Sequence, residues 1–205
     1  MTSRTDLADP RPRRGRPGYD RDQVLAAAVQ LFNEQGYDAT SVADVASRLG
    51  LTKSALYHHF ASKEELLRLA LDDALDALEH ALDRAVADSG TTSDHLRGVV
   101  EGAVEVLIAR QPSVTLLLRV RGNTTVEQDA LRRRRAFDQR VTALVREAQH
   151  EGLLRTDIDA AVATRLVFGM VNSLVEWYRP DGSVDPGELA RDVLTVALDG
   201  LQSPG

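Results

Sequence analysis

From Asp20 onward, apolar residues recur three and four positions apart, and run after run opens on Asp, Ser or Thr and closes at glycine or at a proline-containing gap. Only a helix gathers positions so spaced onto one face, because successive side chains turn by about 100° around its axis. "DRDQVLAAAVQLFNEQG" offers Asp20 as N-cap, then Val24, Leu25, Ala28, Leu31 and Phe32, and stops at Gly36. "TSVADVASRLG" repeats the pattern in about two turns, with Thr40 or Ser41 as cap, Val42, Val45, Ala46 and Leu49 inward, and Gly50 as the stop. Thr52 caps a third short helix that turns Leu51, Leu56 and Phe60 inward. Ser62, with Glu65 three residues on, has the spacing of a capping box and begins a long helix that reaches about Val86. Further helices are expected near 94–110, 112–120, 125–151, 159–178 and 186–201. "SVTLLLRV" alone suits a buried strand equally well, but Pro112 at a first helical turn and the helical surroundings favour helix. The fold class expected is all-α.

With 205 residues, 43% hydrophobic and 27% charged, the chain can bury a core and has the balance of a water-soluble globular protein. The absence of cysteine excludes a disulfide framework and thiolate metal sites and suits a cytoplasmic setting. No apolar run has the length of a membrane span, and the first residues lack an apolar signal core, so no membrane partner is expected. A catalytic site would need a nucleophile with its base, or paired carboxylates in a defined setting, and neither pattern is present. His58 and His59 are adjacent, so their side chains diverge by about 100° on a helix and cannot face one ion. Catalytic residues, metal and cofactor are therefore all expected to be none.

The net charge of -6 hides a gradient: residues 1–68 carry ten basic and nine acidic side chains, residues 69–205 fifteen and twenty-two. Positive charge gathers at Arg11, Arg13, Arg14 and Arg16, and again at Lys53 and Lys63, which allows a local basic face on an acidic protein. The two short helices around Gly50, braced by the first, have the form of a helix-turn-helix welded by Val42, Val45, Leu49, Leu56 and Phe60. The second helix then shows Thr52, Lys53, Ser54, Tyr57 and His58 to the outside, donors suited to phosphate oxygens and groove edges.

Residues 20–67, "GYDATSVADVASRLGLTKSALYHHFASKEELL" above all, resemble the DNA-binding domain of the TetR family of bacterial transcriptional regulators. The glycine, the cap, "LYHHF" and "SKEEL" fall in that family's order. The resemblance implies an all-helical homodimer with a basic N-terminal arm (1–17), a three-helix DNA-binding domain (18–66), and a ligand-binding and dimerisation domain (67–205) joined to it by the fourth helix. It implies a double-stranded DNA operator as partner and a small-molecule effector. Carried onto this sequence, Thr52, Lys53 and Ser54 probe the major groove, Tyr57, His58 and Lys63 hold phosphates, and Ser41, opening the preceding helix, joins the DNA-binding set.

The C-terminal part is less explicit. Val100, Val104, Leu107, Leu117, Phe137, Val141, Phe168 and Asn172 have the helical spacing of either a bundle core or an apolar pocket, and are the candidate ligand residues. "VNSLVEWYRPDG" resembles the segment before the last helix in TetR relatives that respond to acyl-CoA thioesters, which makes a hydrophobic effector of that class the first candidate. Arg132 or Arg135 would then meet its phosphates at the pocket mouth. The remainder of "LRRRRAF" is read as a solvated, salt-bridged surface, since four consecutive residues spread around the whole helix. Trp177 and Tyr178 are read as anchors of the core or the dimer interface. Leu166, Val167, Met170, Leu174, Val193, Leu194, Ala197 and Leu198 give the last two helices the apolar faces of a two-fold, four-helix interface.

Overall fold

The computed structural model describes residues 20–200, and among them every regular element is helical. The order is α1 (Arg21–Gln35), α2 (Val42–Arg48), α3 (Lys53–Tyr57), α4 (Lys63–Ala87), α5 (Thr92–Ala109), α6 (Gln111–Arg119), α7 (Thr125–His150), α8 (Ala160–Trp177) and α9 (Pro186–Leu194), which runs into a π-helical turn, Thr195–Asp199. The segment after Pro112 is helix, as its N-terminal proline implies. The last element departs from expectation: α-helical geometry ends at Leu194, and residue 201 lies outside the described residues.

Side-chain caps fix the helix starts. Asp20 Oδ1 accepts from Gln23 N at 2.8 Å while Gln23 Oε1 takes the Asp20 N–H, and reciprocal caps of this kind also open α2, α5 and α7. Between the two candidates for the cap of α2, the structure selects Ser41; Thr40 is buried and its hydroxyl donates to the Gly36 carbonyl at 2.8 Å. Ser62 caps α4, accepting from Glu65 N at 3.1 Å, but the expected box is incomplete. Glu65 turns away to accept from Ala61 N at 2.6 Å and to pair with Arg21 at 2.9 Å, so its carboxylate joins α1 to the α3–α4 connection. Gly50, at φ 63°, supplies the left-handed residue of the tight α2–α3 turn.

One apolar core runs through the whole chain. Val24, Phe32, Val45, Leu56 and Phe60 seal the first three helices onto Leu66, Leu67 and Leu71 of α4, and the same cluster continues through α5 to α9. The boundary expected at 66/67 falls within α4, and the packing continues across it without a break. A second tie bypasses α4: Asn33 Nδ2 donates to Pro112 O at 2.9 Å and Arg119 donates to Asn33 O at 2.7 Å, fastening α1 to α6.

Helices α4 and α5 meet through small residues. A Cβ on Gly102 would stand 2.8 Å from Ala81 Cβ, and one on Gly98 3.1 Å from Ala85 Cβ. Gly102→Val should therefore cost about 1–3 kcal/mol by overpacking, more than the gain in helix propensity returns. Thermal denaturation followed by circular dichroism checks this, with about 2–4 °C expected per kcal/mol in a chain of this size; an unchanged melting temperature contradicts the close approach.

The expected interface residues divide in three, with Met170 half-buried against the core between the two extremes. Val167, Leu174, Val193, Leu194, Ala197 and Leu198 are buried within this chain, because α9 packs on α5 and α8 on α7. Leu166 is 61% exposed, and it continues a stripe on α8 that includes Val162 and Trp177, with Val196 at 63% on the final turn. Tyr178 is buried and anchors the core, whereas Trp177 lies on the exposed stripe.

Candidate nucleic-acid interface and internal cavity

Helix α3 is little more than one turn, and its orientation is set by what it buries. Leu56 and Phe60 are each 1% exposed, so Thr52, Lys53, Ser54, Tyr57 and His58 are left on the outer surface. Thr52 has a structural task as well, accepting from Ala55 N at 3.1 Å. Lys53 Nζ lies 5.9 Å from the centre of the Tyr57 ring, one helical turn on, so the two side chains stand together as a cation and an amphipathic donor. His59 is half-buried and belongs to the packing.

Two expected DNA contacts are already engaged. Ser41 Oγ donates to Asp44 Oδ2 at 2.7 Å and accepts from Asp44 N, and this bonding holds the Asp44 carboxyl below its usual range. A phosphate at Ser41 would have to displace that negative charge. Lys63 Nζ donates to the carbonyls of Tyr37 and Thr40, both at 2.9 Å, and sits 4.1 Å from the Tyr37 ring centre. Two of its three N–H groups thus brace the α1–α2 loop against α4, and one remains. Arg21, not anticipated from sequence, lies 5.1 Å from the Phe60 ring centre and pairs with Glu65, while Arg48 pairs with Glu34 at 2.6 Å across α1 and α2. The arginines of the arm, Arg11 to Arg16, lie outside the described residues.

Inside the C-terminal bundle, a cavity of about 190 Å³ lies among α4, α5, α6, α7 and α8. Leu107, Leu117, Phe137, Phe168 and Asn172 line it as expected, with Phe137 and Phe168 edge to face at 5.4 Å. Val100, Val104 and Val141 do not line it; all three are buried in the surrounding core, because their positions on α5 and α7 turn them toward neighbouring helices. Leu78 of α4, Val114 and Leu118 of α6 and four polar side chains, Arg134, Asp138, Thr164 and Arg165, also face it, with Ala103, Gly169 and Val171 between them. Burial raises the Asp138 carboxyl above its usual range, and Arg134 and Arg165 pull it back.

The four consecutive arginines have four separate fates. Arg132 pairs with Asp129 at 2.6 Å on the surface, not at the cavity mouth. Arg133 reaches across to α4, meeting Asp72 at 2.9 Å, Asp76, and Glu79 at 2.7 Å; hydrogen bonds to Glu79 first and then Asp76 raise its already high pKa further. For Asp72, burial outweighs the arginine and its pKa is raised. Arg134 lines the cavity and Arg135 the groove outside it. Arg133→Met would leave three carboxylates on consecutive turns of α4 without their cation. Because these groups are partly exposed, the expected loss is about 1 kcal/mol, or about 2–4 °C in melting temperature. High salt should narrow the gap between variant and wild type in thermal denaturation; a gap independent of salt contradicts an electrostatic clamp.

Among the described residues no helix is long and apolar enough to cross a membrane. Residues 24–70 match the family model described as "Bacterial regulatory proteins, tetR family", and residues 89–201 match "Tetracyclin repressor-like, C-terminal domain". The chain is 31% identical over 192 residues to the HTH-type transcriptional repressor KstR2 of Rhodococcus jostii (strain RHA1), covering 90% of this chain and 92% of that protein. Its fold matches SCO3833, a TetR regulator from Streptomyces coelicolor A3, with a TM-score of 0.82 and 50% identity over 88% of this chain and 91% of that one. It also matches AibR, solved in complex with isovaleryl coenzyme A and operator DNA, with a TM-score of 0.73 at 23% identity over 87% and 97% of the two chains. Helix-turn-helix, connecting helix and C-terminal bundle all agree with these relatives, and the chain belongs to the TetR family of bacterial transcriptional regulators, DNA-binding proteins and not enzymes.

Proposed function

We propose that the protein is a cytoplasmic repressor that grips a near-palindromic operator as a two-fold dimer and lets go when a largely apolar small molecule enters the bundle cavity. The observation that carries this reading is the pairing of an outward polar α3, whose apolar side is sealed, with an internal cavity whose wall includes α4 and α6. Thr52, Lys53 and Ser54 are assigned to the major groove, and Tyr57 and His58 to the phosphates beside it. Lys63 acts first as a brace, with its remaining N–H for a phosphate, and Ser41 acts first as a cap. The arm of residues 1–17 adds backbone or minor-groove contacts.

One α3 reads too few base pairs to define a genomic site, so two are needed, related by the same symmetry as the operator. The exposed stripe of Val162, Leu166 and Trp177 on α8, with Val196, supports a dimer through the last two helices. An effector in the cavity touches α4 at Leu78 and α6 at Val114, Leu117 and Leu118; α6 is tied to α1 through Asn33. Either route reaches the helix-turn-helix. An acyl thioester is the first effector class to test, by the resemblance of the segment around Trp177, and the same fold holds a coenzyme A thioester in AibR.

The test is fluorescence anisotropy of a labelled DNA fragment from upstream of the protein's own gene, titrated with protein and then with acyl-CoAs, free fatty acids and aromatic acids. Specific binding is expected, followed by release with one class. Coupling is reciprocal, so the operator must weaken effector binding by the factor with which effector weakens operator binding, about 5–150-fold. Binding no tighter than to unrelated DNA would sink the operator reading, and specific DNA binding that no ligand alters would sink the effector reading.

A further inference from the structure

Helix α4 is held from outside along its middle. Asp72, Asp73, Asp76, Glu79 and Asp83, all of its carboxylates from Asp72 onward, form ion pairs, and every partner is an arginine from elsewhere in the bundle. Arg133 of α7 takes three of them: Asp72 at 2.9 Å, Asp76, and Glu79 through two nitrogens at 3.0 and 2.7 Å. Arg140, two turns further along α7, takes Asp83 at 2.6 Å, and Arg110, between α5 and α6, takes Asp73 at 2.9 Å. Steps of four, three and four residues put Asp72, Asp76, Glu79 and Asp83 on one face of α4, in a row about 16 Å long. Asp73 is turned from that row by about 100°, so the helix is gripped from two sides.

These pairs are not local ones. Arg68 stands four residues before Asp72 and His80 four after Asp76, the spacing at which a helix pairs its own charges, yet among the described residues neither forms an ion pair. Pairs that run between helices depend on where those helices stand. The other contacts of α4 constrain its angle less. Burial of Leu71, Leu75 and Leu82 draws the helix onto the bundle, but the hydrophobic effect is non-directional. Against α5 the helix touches through Ala81 and Ala85 on Gly102 and Gly98, surfaces with too little side chain to interlock as ridges and grooves. A guanidinium fork is directional, because its N–H groups meet carboxylate oxygens in one plane. Each exposed pair adds little to stability, but several on one row resist rotation and sliding together.

We infer that Arg133 and Arg140 are positioning residues for operator reading: by pinning the carboxylate row of α4 they set the angle at which that helix presents α3 to DNA. This rests on the reading of α3 as the DNA-reading helix and needs no ligand. Asp72 lies nine residues from Lys63, about 14 Å along the axis, which exceeds the screening length of about 8 Å at physiological salt. Loss of either arginine therefore reaches the DNA through the placement of α4 and not through its charge.

The test uses the full chain and two readouts. The sequence has no cysteine, so spin labels on Asp38→Cys, in the α1–α2 loop, and Glu147→Cys, on α7, are unique, and both positions are exposed. Their separation is measured by pulsed electron spin resonance, with labelled chains diluted in unlabelled protein. Adding Arg133→Met and Arg140→Met is expected to shift or widen the distance distribution by about 2 Å, while the melting temperature falls by only about 2–8 °C. On DNA selected by the wild type from a random pool, anisotropy should show affinity lowered about 10-fold or more, the weight of one misplaced base contact. Affinity for scrambled DNA should stay within about 2-fold. Arg140→Asp alone should weaken selected DNA, and adding Asp83→Arg, which restores the pair with its charges exchanged, should bring affinity back to within about 3-fold of wild type. An unchanged distance distribution, an equal loss on scrambled DNA, or a charge exchange that recovers nothing each overturns the positioning role. A wild type that selects no DNA from the pool overturns the operator reading instead, and the label distances then decide the placement of α4 on their own.

Discussion

Alanine at Lys53 and Tyr57 together is expected to lower operator affinity by two orders of magnitude or more without lowering the melting temperature. Both side chains are exposed, Tyr57 at 46%, and their only mutual contact is the ring–ammonium approach at 5.9 Å, so removing them opens no cavity. Lost groove and phosphate contacts are worth about 1–3 kcal/mol each, and a two-fold dimer loses each of them twice. The single variants separate the roles. Tyr57→Ala should weaken specific and unrelated DNA alike, whereas Lys53→Ala should change which base is preferred under it. Anisotropy at fixed salt, on the operator and on scrambled DNA, reads both; unchanged affinity in a folded double variant refutes the placement of α3 in the groove.

If the proposed dimer forms through the α8 stripe, aspartate at Leu166 should give a folded monomer and reduce operator binding by about 100-fold or more, because a single half-site remains. Leu166 is 61% exposed in the isolated chain, so a charge there costs this chain little and the interface much. Leu194→Asp makes the informative contrast. Leu194 is buried within its own chain, and a carboxylate there should lower the melting temperature steeply whether or not two chains meet. Light scattering at micromolar concentration with parallel thermal denaturation distinguishes the two. A Leu166→Asp variant that stays dimeric moves the interface away from the α8 stripe.

That contrast also shows where sequence stops being informative. Helix starts were legible because a cap and its partner sit three residues apart, as Asp20 and Gln23 do, and the turn at Gly50 because few other residues adopt φ 63°. The outer face of α3 followed from the burial of Leu56 and Phe60. What periodicity cannot say is which neighbour covers an apolar face. Leu194 and Leu166 look alike in sequence, yet one is covered by α5 and the other is left open. Val104 and Leu107 share a helix, and only Leu107 reaches the cavity, because the void depends on how five helices fail to fill a space. Long polar side chains were the least legible. Lys63 and Glu65 choose among partners brought close only by tertiary packing, and the four arginines from Arg132 diverge to an aspartate, a triple clamp, a cavity and a groove.

The near-contact of Gly102 with Ala81 and of Gly98 with Ala85 sets a mechanical ratio. Taken as the pivot of the proposed switch, a joint where two helices touch through so little side chain makes α4 a lever whose long arm ends at the DNA-reading domain. Eighteen residues separate Ala81 from Lys63, about 27 Å at the helical rise. A rotation of about 5° at the fulcrum then carries Lys63 through roughly 2–3 Å, close to the length of a hydrogen bond. Leu78, which borders the cavity, stands only one turn from the fulcrum, so a displacement of a few tenths of an ångström at that short arm suffices to drive it. Under the proposed mechanism an effector would need only that small displacement, which α4 enlarges from a joint set by the position of two glycines.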